Sequence, residues 1–264
     1  MYPTIGFIGC GNMGGALARA VQGRGELYFA NRTPAKAEAL ARELGGAVCD
    51  NETVARTCSL IFLGVKPQMM AGMLAPLQSV LAARQDRFVL CSMAAALSTG
   101  DIRTMAGGDY PVLRIMPNTP VSVGAGVLQV CSLGADEEEV AAFCRLMDRA
   151  GLVDTVDEHL LDAAAAVSGC GPAFLCLALE GMADGGVACG LPRDKALRYA
   201  AQTLLGTGLM ALESGDHPGI LKDRVCSPGG TTIQGVRALE NAAVRAAFFE
   251  AVTAAYEKTL ELRP

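Results

Sequence analysis

Two glycine-rich stretches of this 264-residue chain carry the residue types best suited to binding anions. The first is Gly9-x-Gly11-x-x-Gly14, set between the apolar run Ile5 to Ile8 and the segment Ala16 to Val21. Gly9 permits a tight strand-to-helix turn, Gly11 lets a pyrophosphate approach the backbone, and Gly14 lets helix and strand pack closely. The N-terminus of the following helix offers unpaired N–H groups and a partial positive charge to phosphates. The chemistry is dinucleotide binding; the competing reading is a glycine turn in some other α/β domain. The second stretch is Ser227-Pro-Gly-Gly-Thr-Thr232, leading into a helix through Leu239. Accessible backbone N–H groups, hydroxyls and the positive helix end make it an anion cradle. Its competing reading is an ordinary capping turn. A further glycine turn, Ser168 to Phe174, has Pro172 placed to begin a helix.

The residues that follow the fingerprint point to a particular dinucleotide. NAD-binding proteins carry Asp or Glu about 20 residues on, to hold the ribose 2′-hydroxyl. Asn31 stands there, with Arg32 beside it and Lys36 just beyond. No carboxylate repels a 2′-phosphate, and a guanidinium is placed to bind one. NADPH is therefore expected over NADH, the weaker donor. The competing reading of Arg32 is a solvated loop charge.

These residues need a scaffold, and the apolar pattern supplies one. Leu27 to Ala30, Ser59 to Val65, Phe88 to Cys91 and Val112 to Met116 read as buried strands, and Pro34 to Leu44 as a helix. Pro67 stops one strand at the carboxyl end of the sheet, where ligands bind. The small residues after Ser92 would let a nicotinamide ring lie against backbone. Ala125 to Cys131 and Val153 to Val156 read as closing strands around the helix Asp136 to Arg149. Strands alternating with helices predict a Rossmann-type doubly wound parallel sheet over residues 1–157. From Glu158 strand signals vanish, so residues 158–264 are expected to be all-α. That stretch has more apolar surface than helices packing on one side can bury, which predicts a homodimer through it.

Composition excludes several classes. The net charge of −5 argues against nucleic acid and anionic membranes. Ten cysteines without a C-x-x-C pair, and only His159 and His217, argue against a metal site. Cys91, Cys131 and Cys176 read as small buried hydrophobes in a reducing cytoplasm. The fold begins almost at Met1, which predicts no signal peptide. The charge-free stretch Ala163 to Leu179 contains Gly169, Gly171 and Pro172. It is read as buried helix, not as a membrane span. His159 and His217 read as surface or capping residues, and Lys66 as a cofactor contact more than a base.

The chain resembles pyrroline-5-carboxylate reductase, the last enzyme of proline biosynthesis, over nearly its whole length. The resemblance rests on Gly6 to Met13, Val65 to Gln68, Arg114 to Pro120, Ser168 to Phe174, Ala183 to Gly186 with Gly190 to Pro192, and Leu221 to Asp223. Its most specific part is Ser227 to Thr232, continuing through Glu240. The resemblance implies that Gly9, Cys10, Gly11, Asn12, Met13, Gly14, Asn31, Arg32 and Asn51 hold the adenosine half of NADPH. It implies that Gly64, Val65, Lys66, Pro67, Met93, Ala94 and Ala95 line the nicotinamide. Ser227, Gly229, Gly230 and Thr231 would bind the substrate carboxylate. The Thr232 hydroxyl would meet the ring nitrogen, as the catalytic contact. Glu158 and Arg224 sit where family members contact the ligand. It further implies intertwined dimers that can assemble into rings. The sequence departs from the family pattern at Cys170, Phe174 and Ala96, where Ser, Tyr and Gly are common. Arg224 replaces an Asn found in some members, which bears on the pocket's charge. Another NADP-dependent imine or hydroxyacid reductase, or a non-enzymatic NADP-binding sensor, are the alternative functions.

Overall fold

The computed structural model describes residues 2–262; the expected outer limits at residues 1 and 264 lie outside them. The chain opens with β1 (Thr4–Ile8), α1 (Asn12–Ala20), β2 (Glu26–Ala30), α2 (Pro34–Leu44), β3 (Ala47–Val48) and α3 (Asn51–Thr57). It continues with β4 (Leu60–Leu63), α4 (Pro67–Leu74), α5 (Gln78–Ala82), β5 (Val89–Ser92) and α6 (Thr99–Ala106). Then come β6 (Val112–Pro117), β7 (Gly126–Leu133), α7 (Glu137–Leu146) and β8 (Gly151–Thr155). The sheet runs β3-β2-β1-β4-β5-β6-β7-β8. Strand order reverses between the parallel neighbours β1 and β4, and ligands of such sheets bind at that switch point.

The inner strands are continuous apolar runs because helices cover both sheet faces. Phe7 lies opposite Phe29 on β2 and opposite Phe62 on β4. The three rings form a row on one face, with Phe7 and Phe62 stacked at 4.6 Å. Phe143 from α7 tilts against Phe62. The opposite face is filled by Ile8, Ile61, Leu63 and Leu90 under Met70, Leu74 and Leu81.

The strand–helix alternation predicts a parallel sheet throughout, yet β6 and β7 pair antiparallel. The reason lies in the connection. Only a 3-10 turn, Thr119–Val123, separates the two strands, and a parallel return needs about a dozen residues of crossover. The α7 crossover then makes β7 and β8 parallel again.

Helices follow: α8 (Glu158–Ser168), α9 (Gly171–Ala188), α10 (Arg193–Ser214), α11 (Pro218–Arg224), α12 (Thr231–Asn241) and α13 (Val244–Glu261). The chain resolves into two compact units. One runs through Gly169 and includes the segment from Tyr256 onward; the other is Cys170–Ala255. Thus α8 belongs with the sheet, where it packs on β7 and buries Leu161, Asp162 and Ala166. The second unit has a very small core, Ala183, Ala196 and Ala200 where α9 meets α10. The expectation of a buried helix over Ala163 to Leu179 fails in the single chain. Segment Glu158–Ala188 is long and apolar enough to cross a membrane by composition, yet only 17% of its most apolar window is buried. Cys176 is likewise exposed. The physical reason is that α9 buries Ala183 alone.

Candidate active site

The cofactor candidates gather along one edge, at the carboxyl ends of β1, β2, β4 and β5. Gly9 adopts φ +108°, and its N–H donates to the Ala30 carbonyl at 2.8 Å. A Cβ on Gly9 would lie 2.5 Å from the Gly64 carbonyl oxygen, and one on Gly64 2.7 Å from that of Gly9. A Cβ on Gly14 would also strike the Gly9 carbonyl. Glycine is thus required where β1, β4 and α1 meet backbone to backbone. Gly11 differs: a Cβ there would meet nothing within 4 Å. It is the N-cap of α1, with no side-chain cap and no acidic residue in the first turn. The positive helix end beside Asn12 and Met13 therefore stays open to an anion. Cys10 is buried, and burial pushes its thiol up to about 11, so it stays protonated at neutral pH.

Asn31 is engaged at both ends of its amide. Its Oδ1 accepts from the Cys10 N–H at 2.9 Å, and its Nδ2 donates to the Thr33 carbonyl at 2.8 Å. The side chain latches the glycine loop to the end of β2. Arg32 and Lys36 are exposed beside it. Among the described residues no carboxylate holds the Arg32 guanidinium. Asn51 opens α3, whose N-cap Asp50 accepts from the Thr53 N–H. Gly64 donates to the Ile8 carbonyl at 2.8 Å, Val65 follows half-buried, and Lys66 is the N-cap of α4 ahead of Pro67. After β5, Ala94 is buried, Ala95 exposed and Met93 half-buried.

The second anion candidate lies in the other unit. Gly230 donates its N–H to the Ser227 carbonyl at 3.0 Å, closing a turn in which Gly229 has φ +72°. Gly230 is the N-cap of α12, again with no side-chain cap and no acidic residue in the first turn. Thr231 and Thr232 occupy the first helical positions and are exposed. The loop therefore presents an uncapped helix start with hydroxyls beside it. Upstream, His217 Nδ1 caps α11 by accepting from the Gly219 N–H at 3.1 Å.

Residues 158–262 match the family described as pyrroline-5-carboxylate reductase dimerisation, and residues 4–95 match that described as NADP oxidoreductase, coenzyme F420-dependent. A pyrroline-5-carboxylate reductase of Pisum sativum is 40% identical over 98% of this chain and 96% of its own. This chain belongs to the pyrroline-5-carboxylate reductase family. The Coxiella burnetii reductase structure superposes with a TM-score of 0.90 at 31% identity, covering 98% of both chains. The Plasmodium falciparum enzyme, solved with NADP bound, gives 0.85 at 30% identity, over 97% of this chain and 96% of its own.

Two residues carried over from the reductase family have other partners here. Glu158 accepts from the Thr99 backbone N–H at 2.7 Å and from the Thr99 hydroxyl at 2.8 Å. Its Oε1 also lies 3.5 Å from Arg114 Nη1. Arg224 pairs with Asp216 at 2.6 Å, so its charge is partly neutralised. The departure at Ala96 has a backbone cost. Its φ is +63°, a conformation that an L side chain adopts at ~1–2 kcal/mol and glycine adopts freely. Asp162 and Thr99 escape a motif-based reading, and Arg114, though it opens a family motif, is given no role by it. The available signal was a lone arginine inside an otherwise apolar strand, Val112 to Pro117, which requires a buried partner.

Proposed function

We propose that this chain reduces 1-pyrroline-5-carboxylate to L-proline with NADPH, the final step of proline biosynthesis, with NADH a weaker donor. The observation that carries the reading is the uncapped start of α12 behind Ser227–Gly230, next to the Thr232 hydroxyl. A carboxylate and a nitrogen flanking one carbon suit that pairing. The cofactor edge fits a phosphorylated dinucleotide: the space before Gly11 is open, and Arg32 stands where NAD-binding proteins place an acid.

Gly9, Cys10, Gly11, Asn12, Met13 and Gly14 would hold the pyrophosphate, with Asn31, Arg32 and Asn51 around the adenosine. Gly64, Val65, Lys66, Pro67, Met93, Ala94 and Ala95 would wall the nicotinamide. When bound, NADPH supplies hydride to the C=N carbon. Ser227, Gly229, Gly230 and Thr231 hold the carboxylate, with Arg224 nearby in sequence. Thr232 donates to the ring nitrogen as that nitrogen becomes an amine. The imine nitrogen is basic and takes its proton from water or through the hydroxyl, so positioning and anchoring suffice. A hydroxyacid oxidation would need a side-chain base. His217 caps α11, and Lys66 is the N-cap of α4.

We assign residues 1–157 to cofactor binding and 158–264 to substrate binding and dimerisation, in a cytoplasmic homodimer built through the C-terminal helices, with rings a further stage. The purified protein, given NADPH and the pyrroline, is expected to form one proline per NADPH consumed. Turnover of a β-hydroxyacid but not the pyrroline would move the chain to another reductase class. NADPH binding without imine reduction would make it a sensor.

A further inference from the structure

A polar cluster lies beneath α8. Arg114 on β6 faces Cys131 on β7, and Met116 faces Gln129, which puts Arg114 and Gln129 on one sheet face. Arg114 is 3% exposed and Asp162, from α8, 1%. Arg114 Nη2 donates to Asp162 Oδ1 at 2.7 Å, while Nη1 faces Glu158 one turn earlier on the helix. Gln129 Nε2 donates to the Ser168 hydroxyl at 2.7 Å, and Asn118 Nδ2 to the Ser168 carbonyl at 2.9 Å. Both ends of α8 are thus tied to β6 and β7.

Stability alone is a poor reason for this arrangement. Desolvating a buried ion pair can cost as much as the pair returns, and apolar residues of similar volume often serve as well. The direction in which the cluster reaches out is more informative. Both Glu158 oxygens are taken by Thr99, through its backbone N–H and its hydroxyl. Thr99 is the first residue of α6, so its N–H has no partner within the helix. Ser98, the N-cap, is fixed separately by a capping box with Asp101. Immediately upstream lies Met93–Ala95, then Ala96 in its left-handed conformation. A strained residue persists only where its surroundings over-determine it. The segment is held at its start by the Met93 N–H on the Leu63 carbonyl at 3.5 Å. Its other end is held at Ser98 and Thr99.

We infer that Arg114, Glu158 and Thr99 form a positioning relay that fixes Met93–Ala95, the proposed nicotinamide wall. The inference rests on that assignment of the wall. Glu158 then serves hydride transfer through Thr99 and does not touch the substrate. Asp162 holds Arg114 in place so that its second nitrogen stays on Glu158.

The test uses Glu158→Gln, which keeps the shape and loses the charge, and Thr99→Val, which loses only the hydroxyl. Thr99→Ser restores it, and Ala95→Val probes the wall itself. The first readout needs no cofactor: amide hydrogen exchange over residues 93–99 in the apo-enzyme. It is expected to quicken on the order of ten-fold in Glu158→Gln and Thr99→Val, and to return toward the parent rate in Thr99→Ser. The second is steady-state kinetics. A drop of about ten-fold in kcat is expected, with KM for the pyrroline within about two-fold and a larger primary isotope effect from deuterated NADPH. Melting temperature and near-UV circular dichroism confirm that each variant is folded. A folded Glu158→Gln with unchanged exchange and a raised KM for the pyrroline would place its carboxylate on the substrate and overturn the relay. Impaired Ala95→Val beside unimpaired Glu158 and Thr99 variants would overturn it too. An Ala95→Val enzyme with unchanged kcat and NADPH affinity would remove the wall assignment, and the relay with it.

Discussion

Arg32 is the residue on which we propose that cofactor choice turns. It is exposed at the end of β2, where an acidic side chain would instead select the unphosphorylated ribose. A charge-assisted hydrogen bond is worth ~1.5–3 kcal/mol. Arg32→Ala should therefore raise KM for NADPH roughly ten- to a hundred-fold and leave that for NADH nearly unchanged. An equal effect on both cofactors would remove Arg32 from the 2′-phosphate. Asn31, its neighbour, works differently: with both amide ends on backbone groups, it shapes the glycine loop. In the proposed reaction Thr232 belongs to the chemistry. Hydride arriving at the C=N carbon returns electron density to the ring nitrogen, so the hydrogen bond that Thr232 donates would strengthen toward the transition state and act mainly on kcat. Thr232→Ala should lower kcat/KM for the pyrroline roughly ten- to a hundred-fold, with NADPH affinity by titration unchanged. Thr232→Ser should recover most of the activity. Full activity in the Ala variant would leave Thr232 a helix-start residue and water the proton source.

Among the elements, the turn from β5 to α6 stores strain at Ala96, as the link from α12 to α13 does at Ala243. Relieving the left-handed Ala96 returns ~1–2 kcal/mol, while glycine adds ~0.4–1 kcal/mol of unfolded-state entropy. Ala96→Gly should thus stabilise the protein by up to about 1.5 kcal/mol and raise its melting temperature by a few degrees at most. A lower melting temperature would mean that the side chain packs well enough to outweigh its backbone. The sequence disclosed most of the sheet, because buried parallel strands are written as apolar runs and the glycine fingerprint marks the switch point. It did not disclose that β7 runs antiparallel. A strand's residues do not encode its direction, and here the short link through Thr119–Val123 decided it. Nor did it reveal that α8 packs with the sheet. Helical spacing marks a helix, but the Arg114–Asp162 pair that docks this one joins positions far apart in sequence. The loop Ser227–Thr232 was legible because its glycines and hydroxyls sit in consecutive positions.

At the scale of the whole molecule, the helical segments present more apolar surface than one chain can cover. Leu177 is 71% exposed, Leu212 77% and Phe249 70%. Neither α12 nor α13 buries a residue. Burying a large apolar side chain is worth about 1.5–3 kcal/mol, so leaving this surface wet forfeits much of a marginal stability. The family match over residues 158–262 names dimerisation, and the proposed interface is a second copy of the same apolar helices, meeting them as a self-complementary surface. Folding and association should then be linked, with apparent stability rising with protein concentration. Light scattering at low micromolar concentration should show no monomer, and the melting temperature should climb on dilution series read from dilute to concentrated. Leu177→Glu with Leu212→Glu would place charges on that surface and should split the assembly, with loss of activity. A double variant that stays dimeric would move the interface elsewhere on the helices. A stable, fully active monomer of the parent chain would show that the exposed helices need no partner.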